Sequence, residues 1–363
     1  MELDKYAFWV FVGQFINVVV FSILINSLLL RFVKTLGVRD NTNVVRWSSK
    51  RKPAIGGIGF FIIFLLCAGS YGVFFVPTDL FRNPQALGLI VFTCLAFLMG
   101  LADDAYDTRP YLKFLVQFIC GIGCAYTDQR INIFELEALN VIITVFWVVG
   151  VMNSINMLDN MDAITTSVSI FVCLSALVVM NVSQHSSSFD FYITIGVLGA
   201  LVGFLFFNWY PSKMFMGDTG SQFLGFFLAA LGIKYFWNAT DFFPLLDGKR
   251  EFLLAVLVFL LPLTDTTTVF FSRIMQKKSP FVGGKDHTTH NLSYLGLSDS
   301  QVAFVFIGVS LVGIMATFAL VSFPDMWGMP MLLSYSGFIV LVFLTMFLYS
   351  VNNNLKRARG QKK

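Results

Sequence analysis

Several short polar stretches of this chain carry residue types that can bind and move phosphate groups. The central one is FNWYPSKMFMGDTGS, Phe207 to Ser221, in which Asp218 stands between Gly217 and Gly220 just before an apolar run, Phe223 to Ile233, that reads as a helix. An acid at a helix start lies beside free backbone N–H groups and the positive end of the helix dipole, which favour an anion or a phosphate. Its carboxylate can also hold a divalent ion. A second stretch, GLADDAYDTRPY from Gly100 to Tyr111, sets Asp103, Asp104 and Asp107 in a DDxxD pattern with no basic residue before Arg109. Asp103 and Asp107, four apart, are expected on one helix face, where like charges repel unless a cation or the positive part of a bound complex compensates. The plain alternative is a solvated helix end.

The third stretch, MNSINMLDNMDAITTS from Met152 to Ser167, spaces Asn153, Asn156, Asp159, Asn160 and Asp162 among apolar residues. If helical, it brings Asn153, Asn156 and Asp159 or Asn160 near one face. Inside a membrane such a stripe must meet protein or water, although asparagine also ties helices together. The fourth, SPFVGGKDHTTHNLSYLGLS from Ser279 to Ser298, carries His287 and His290 beside Lys285 and Asp286. HxxH with a carboxylate is half of a zinc site, but oxygen donors dominate elsewhere, which favours Mg²⁺ or Mn²⁺ and leaves the histidines as donors to phosphate. A last stretch, KRKPAIGGIGFF, sets Lys50, Arg51 and Lys52 over a tight turn through Pro53, Gly56 and Gly57 into a helix. Its charges read equally as topogenic.

The elements that must hold these stretches are membrane helices. Of 363 residues, 56% are hydrophobic and only 13% charged, with mean hydropathy +0.75. The fold expected is all-α: about eleven spans of the length that crosses a bilayer, near 6–33, 54–76, 86–102, 111–127, 138–156, 163–182, 191–208, 219–237, 251–272, 302–323 and 331–351. Loops this short leave no room for a second domain, so residues 1–363 are one integral-membrane unit. With the N-terminus outside, about nineteen Lys and Arg fall inside and about five outside, which puts the C-terminus in the cytoplasm. Arg46, Lys50, Arg51, Lys52 and the tail Lys356, Arg357, Arg359, Lys362 and Lys363 dominate that bias.

A net charge of +4 that tracks one membrane face argues against nucleic acid as a partner. The five cysteines all fall within expected spans and read as packing residues. Asp265, in the run Thr264 to Thr268, faces either the site or a threonine network. With this topology every polar stretch named above lies on the cytoplasmic side, which argues for one site at the inner membrane surface. Carboxylates, amides, a glycine-flanked helix start, lysine and histidine, without a Ser-His-Asp or cysteine nucleophile, suit metal-assisted phosphoryl transfer.

DDAYD, NSINMLDNMD, FNWYPSKMFMGDTGS and KDHTTH, in that order and spacing, resemble the polyprenyl-phosphate N-acetylhexosamine-1-phosphate transferase family of bacterial envelope synthesis. DDxxD and the span count are similar to the branch that starts O-antigen of lipopolysaccharide, enterobacterial common antigen or teichoic acid linkage units. The peptidoglycan branch instead carries lysine in place of Asp107 and a histidine triplet in place of DHTTH. The resemblance implies a bacterial inner (plasma) membrane enzyme that transfers GlcNAc-1-phosphate, or a related sugar phosphate, from a UDP-sugar to undecaprenyl phosphate, releasing UMP with Mg²⁺. It implies Asp218 as metal ligand with Asn156 as a second, and Asp103, Asp104 and Asp107 as the catalytic acids, the first two binding or deprotonating the lipid phosphate. Asn153, Asp159 and Asp162 are expected on nucleotide or sugar, and Lys52, His287 and His290 on phosphates. A homodimer is plausible for the family.

The chain departs from the family pattern in two places. D-G-x-D-G becomes Asp159-Asn160-Met161-Asp162-Ala163, and Asn291 stands where a basic residue often follows the histidines. If the lost glycines serve φ > 0, asparagine replaces one tolerably and alanine does not. The competing readings are a phospho-MurNAc-pentapeptide transferase, an intramembrane aspartyl protease and a cation-coupled transporter. The protease leaves the Asn/Asp run and the histidines unexplained. The transporter predicts polar residues near the midplane in paired halves, and no internal repeat is visible.

Overall fold

The structure is a computed structural model of the chain and describes residues 3–33, 52–74, 82–186, 188–279, 284–323, 326 and 328–360. Arg46, Lys50, Arg51, Lys362 and Lys363, which weighed in the charge bias, lie outside the described residues.

The chain folds as a bundle of helices: α1 (Leu3–Phe32), α2 (Gly56–Phe74), α3 (Pro84–Tyr106), α4 (Pro110–Tyr126), α5 (Glu137–Leu158), α6 (Ile164–Val182), α7 (Phe189–Asn208), α8 (Gly217–Gly232), α9 (Gly248–Val258), α10 (Leu260–Met275), α11 (Thr288–Tyr294), α12 (Asp299–Ser322) and α13 (Met329–Gly360). Among the described residues no strand forms, and extended backbone pairs at one bridge, Ala54 with Phe215. By length and composition eight helices can cross a membrane, or nine if α9 and α10, bent by 75° at their junction, are one span. Each of the eleven expected segments is helical, but α4 has 17 residues and α8 has 16 before a π-turn at Ile233–Trp237, which accounts for the lower count. The bend between α9 and α10 follows from Pro262, which has no N–H to return to the preceding turn and sits in the first turn of α10, where none is needed. The chain is an integral membrane protein, and α1 and α13 turn exposed apolar residues such as Trp9, Leu24, Leu333 and Leu348 outward.

The helices that position the central polar stretch surround α8. Every residue of α8 is buried except Asp218, and the helix packs against α2, α3, α5 and α6. Phe64 of α2 meets Phe223 and Phe227 edge-on at 5.5 and 6.2 Å. Nearer the start of α8 the neighbours come closer than any side chain allows. A Cβ on Gly57 would lie 2.2 Å from the Gly220 nitrogen, and one on Gly100 would lie 2.2 Å from the Asp218 carbonyl. Glycine at these two positions lets α2 and α3 approach the first turn of α8 backbone to backbone. The segment before α2 pairs with the one before α8: Phe215 N–H donates to the Pro53 carbonyl at 3.0 Å, and Gly56 N–H donates to the Phe215 carbonyl at 3.1 Å. That pairing sets Lys52 over the ring of Phe215, its ammonium 5.0 Å from the centroid.

Candidate active site

A helix start leaves backbone N–H groups without partners, and the residue before α8, Met216, has no side chain able to cap them. Asp104 of α3 does so from across the interface. Its carboxylate accepts from Asp218 N at 3.0 Å, from Thr219 N at 2.8 Å and from Thr219 Oγ1 at 2.6 Å. The helix start expected to receive a phosphate is therefore already occupied by a carboxylate, for the same electrostatic reason. Asp104 belongs to the scaffold of the site.

Asp103, one residue earlier, points into the site. Its Oδ2 and that of Asp218 share one cation, the ammonium of Lys113 on α4, at 2.7 and 2.9 Å. Thr108 N donates to Asp103 Oδ1 at 3.1 Å, and the Thr108 hydroxyl donates to the same atom. The Asp218 side chain keeps 34% of its surface exposed, whereas Asp103 keeps 12%. Two carboxylates against one lysine leave a net negative bay open at Asp218. Among the described residues no three His, Cys, Asp or Glu side chains converge. Mg²⁺ does not require three, since it typically takes one or two carboxylates plus water and substrate phosphate. The ammonium shows that both carboxylates aim at one cation, so the donor set fits a hard divalent ion.

Asn156 was expected as a second metal ligand. It presents its amide nitrogen to Asp218 Oδ1 at 2.6 Å and to Ser221 Oγ at 2.8 Å. In this arrangement Asn156 braces Asp218 with its amide nitrogen, and the second carboxylate at the shared cation is that of Asp103. Asp107 does not share a face with Asp103. α3 ends at Tyr106, and Asp107 closes it in a left-handed conformation, φ 54°, exposed to solvent. Asn153 is a helix tie: its amide exchanges hydrogen bonds with Gln117 of α4, which also donates to Gln222 of α8 at 3.0 Å.

Lys52 and Asp162, expected on phosphate and sugar, are bonded to each other. The ammonium lies 3.1 Å from Asp162 Oδ2 and 2.8 Å from Ser212 Oγ, while Asp162 accepts from Ser212 N at 2.9 Å and Ser212 Oγ at 2.8 Å. Asp159 caps α5 through its backbone N–H to the Asn156 carbonyl. Asn160 does not use a positive φ. Its Oδ1 accepts from Thr289 Oγ1 at 2.5 Å and so joins this loop to the histidine loop. Ala163, replacing the second glycine, sits at φ 65°, ψ −13°, the left-handed region that costs alanine roughly 1–2 kcal/mol. Its N–H donates to Asn208 Oδ1 at 3.1 Å, and Thr166 Oγ1 donates to the same atom at 2.7 Å, which holds the conformation.

Asp265 faces the histidine loop. It accepts from His287 Nδ1 at 2.8 Å, from Thr288 N at 2.7 Å and from Thr288 Oγ1 at 2.6 Å, capping α11 much as Asp104 caps α8. Arg273 of α10 grips Asp286 through two parallel bonds of 2.8 and 2.7 Å. Burial raises the Asp286 carboxyl, but the arginine outweighs it and holds the group below the usual carboxylate range. His290 is only 1% exposed. Burial first, and then the neighbouring His287, push its pKa down to about 3, so the ring stays neutral and offers no positive charge to a phosphate. His287, with 7% of its side chain exposed, meets the ring of His290 edge-on at 5.3 Å.

Lys113 is the residue that motif reading missed. It stands alone in the apolar run after the DDxxD stretch, and a lone ionisable residue inside a span was itself the available signal.

The glycosyl transferase family 4 profile matches residues 86–236, a stretch that holds both carboxylates, Lys113 and Asn156. Over 241 residues the chain is 30% identical to a phospho-N-acetylmuramoyl-pentapeptide-transferase of Streptococcus sanguinis (strain SK36), covering 55% of this chain and 71% of that one. The chain belongs to glycosyl transferase family 4. This transferase is also 26% identical over 292 residues to the Bacillus subtilis (strain 168) protein named "Probable undecaprenyl-phosphate N-acetylglucosaminyl 1-phosphate transferase", covering 78% of this chain and 77% of that one. It is 24% identical over 276 residues to an undecaprenyl-phosphate alpha-N-acetylglucosaminyl 1-phosphate transferase of Thermotoga maritima (strain ATCC 43589 / DSM 3109 / JCM 10099 / NBRC 100826 / MSB8), covering 76% and 79%. The N-acetylglucosaminyl relatives thus align over more of the transferase than the pentapeptide relative does. The family is that of the polyprenyl-phosphate sugar-1-phosphate transferases, in agreement with the motif resemblance.

Proposed function

We propose that this transferase moves GlcNAc-1-phosphate from UDP-GlcNAc to undecaprenyl phosphate at the cytoplasmic face of a bacterial plasma membrane, releasing UMP and opening an envelope polysaccharide pathway. The observation that carries the reading is the bay where Asp103 and Asp218 aim at one cation, at the single unburied residue of an otherwise buried helix. The length of the alignments with the N-acetylglucosaminyl relatives supports this donor over the muramoyl pentapeptide.

A phosphate monoester has its second pKa near about 6, so the lipid phosphate is already largely dianionic at neutral pH and needs no strong base. One of its oxygens attacks the sugar-linked phosphorus of the donor. A new P–O–P bond forms, the bond to the bridging oxygen breaks, and UMP leaves with the electron pair. Mg²⁺ or Mn²⁺, held by Asp218 and Asp103, would screen the diphosphate and the leaving phosphate from the incoming anion. The chain's residues keep that geometry. Asn156 and Ser221 fix the Asp218 rotamer, and Asp104 anchors the first turn of α8 to α3, so the two carboxylates stay at a set separation. Lys113 neutralises one charge of the pair and supplies an ammonium within reach of the same bay.

UMP release from purified protein with undecaprenyl phosphate and Mg²⁺ tests the reading, with UDP-GlcNAc, UDP-GalNAc and UDP-MurNAc-pentapeptide compared as donors. Turnover with UDP-GlcNAc alone is expected. Turnover only with the pentapeptide donor moves the enzyme to the peptidoglycan branch, and no UMP from any donor with folded protein sinks the reading.

A further inference from the structure

α11 has seven residues, too few to hold its own position, so what it bonds to decides where His287 stands. α10 grips it from one side through Asp265 and Arg273, and Asn160 touches it from the loop after α5. The remaining side is held by the last turns of α13. Asn291, fully buried and directly after His290, accepts from Asn353 Nδ2 at 2.7 Å and donates to the His287 carbonyl at 2.8 Å. Asn354, 5% exposed, donates to the Asp286 carbonyl at 2.8 Å and accepts from Asn291 Nδ2 at 3.3 Å.

Three consecutive asparagines, Asn352 to Asn354, lie inside a helix, where asparagine is a poor former. Two of them spend their amides on the backbone and side chain of another element. This also accounts for the departure at position 291, because a basic side chain there would put a charge where a buried amide now makes reciprocal bonds.

We propose that the end of α13 is a positioning clamp for the site: Asn353 and Asn354, acting through Asn291, hold the His287 loop against Asn160 and so set the affinity for the sugar-nucleotide donor. The donor half of this rests on the transferase reading above together with the phosphate contact that the motif resemblance implies for His287; the clamp itself does not.

The test uses the full chain in detergent with Asn353→Ala/Asn354→Ala, and with Asn353→Gln/Asn354→Gln as the conservative pair. One readout needs no activity: the rate at which diethyl pyrocarbonate modifies His287 and His290, followed by mass spectrometry. The other is the KM for UDP-GlcNAc against kcat in UMP release. In the alanine pair, modification is expected to accelerate roughly tenfold and KM to rise by a similar factor, with kcat within about twofold, as loss of a few buried amide bonds predicts. The glutamine pair should recover part of the KM. Unchanged labelling in a folded alanine pair overturns the clamp, and faster labelling with unchanged KM overturns its role toward the donor. If the wild type releases no UMP while labelling still responds, the transferase reading falls and the clamp stands. Should the alanine pair fail to fold, Asn353→Ala, which removes one partly buried bond, decides by the same two readouts.

Discussion

Two lysine–aspartate contacts of this transferase use the same chemical groups to opposite ends. At Lys52 and Asp162 one cation meets one anion, the side chains are 11% and 5% exposed, and Ser212 fills the remaining acceptor positions. At Lys113 one cation meets two anions, and Asp218 remains 34% exposed. The first contact is balanced and closed, so it ties the segments before α2, after α5 and after α7 into one piece. The second is short of positive charge and open on one side. A motif aspartate is thus assigned to structure or to chemistry by its charge balance and exposure, and both kinds occur within the same short run of sequence.

The largest loss of turnover is expected at Asp218. Asp218→Asn keeps the size of the side chain and removes the charge that the bay is built around, so UMP release should fall by about a hundred- to a thousandfold while the thermal midpoint moves by no more than a few degrees. Near-normal turnover in that variant would falsify the active bay. The reverse pattern is expected at the closed pair. Asp162→Ala strands a buried ammonium and should cost about 3 to 5 kcal/mol of stability, read as loss of monodisperse protein and a lower unfolding midpoint. A well-folded Asp162→Ala enzyme with a selective loss of turnover would instead move Asp162 into the substrate site.

Lys113→Met sharpens the contrast from the cation's side. In metal-free buffer the two carboxylates lose their shared partner, and stability should drop by about 1 to 3 kcal/mol. Millimolar Mg²⁺ or Mn²⁺ should restore more of it than it adds to the wild type, because a ligand bound only by the folded state stabilises in proportion to its occupancy. An identical metal response in both proteins argues against a common cation seat.

A smaller effect is expected beside the closed pair, where Ala163 holds a left-handed conformation. Ala163→Gly relieves that strain, less the added freedom of the unfolded chain, for a net gain of about 0.5 to 1 kcal/mol in unfolding experiments. A loss of stability there would mean that the methyl group packs better than the backbone suffers.

The smallest change is local and depends on pH. His290 is held below its unfolded value, so the unfolded chain binds a proton that the folded one refuses. Its contribution to stability is complete above about pH 6.5 and falls as pH drops toward about 3. Asp286, also held low, adds a loss of the same sign below the ordinary carboxylate range. Hydrogen-exchange protection of residues 286–294, taken relative to the intrinsic amide exchange rate at each pH, should therefore fall from pH 7 to 5, and His290→Gln should flatten most of that slope. A slope unchanged in His290→Gln would assign it to other groups.

Much of this architecture was legible in the residues. Spans show because a helix in hydrocarbon needs a long apolar run, and each expected segment is helical. The polar stretches show because charge and amide inside such a chain are costly enough to need a reason. Less legible were the partners. Asp103, Asp104 and Asp107 are alike in type and adjacent, yet one enters the bay, one caps α8 and one ends α3 in solvent. Helical periodicity assumes the helix continues, and it does not continue past Tyr106, so the expected pairing of Asp103 with Asp107 fails. Lys113 was hidden for a related reason, since its meaning comes from two acids, one of them 105 residues away.

The fold class, the family and the inventory of groups that bear on phosphate chemistry follow from the order of residues alone. These depend on hydrophobic run length and on local motifs, which are properties of neighbouring residues. Which carboxylate stays open to a ligand is set by the three-dimensional packing alone. Electrostatic pairing acts over a few ångströms in space and takes no account of separation along the chain. The packing of α3, α4 and α8, made close by Gly100, therefore had to be known before Asp218 could be told from Asp104 and Asp162.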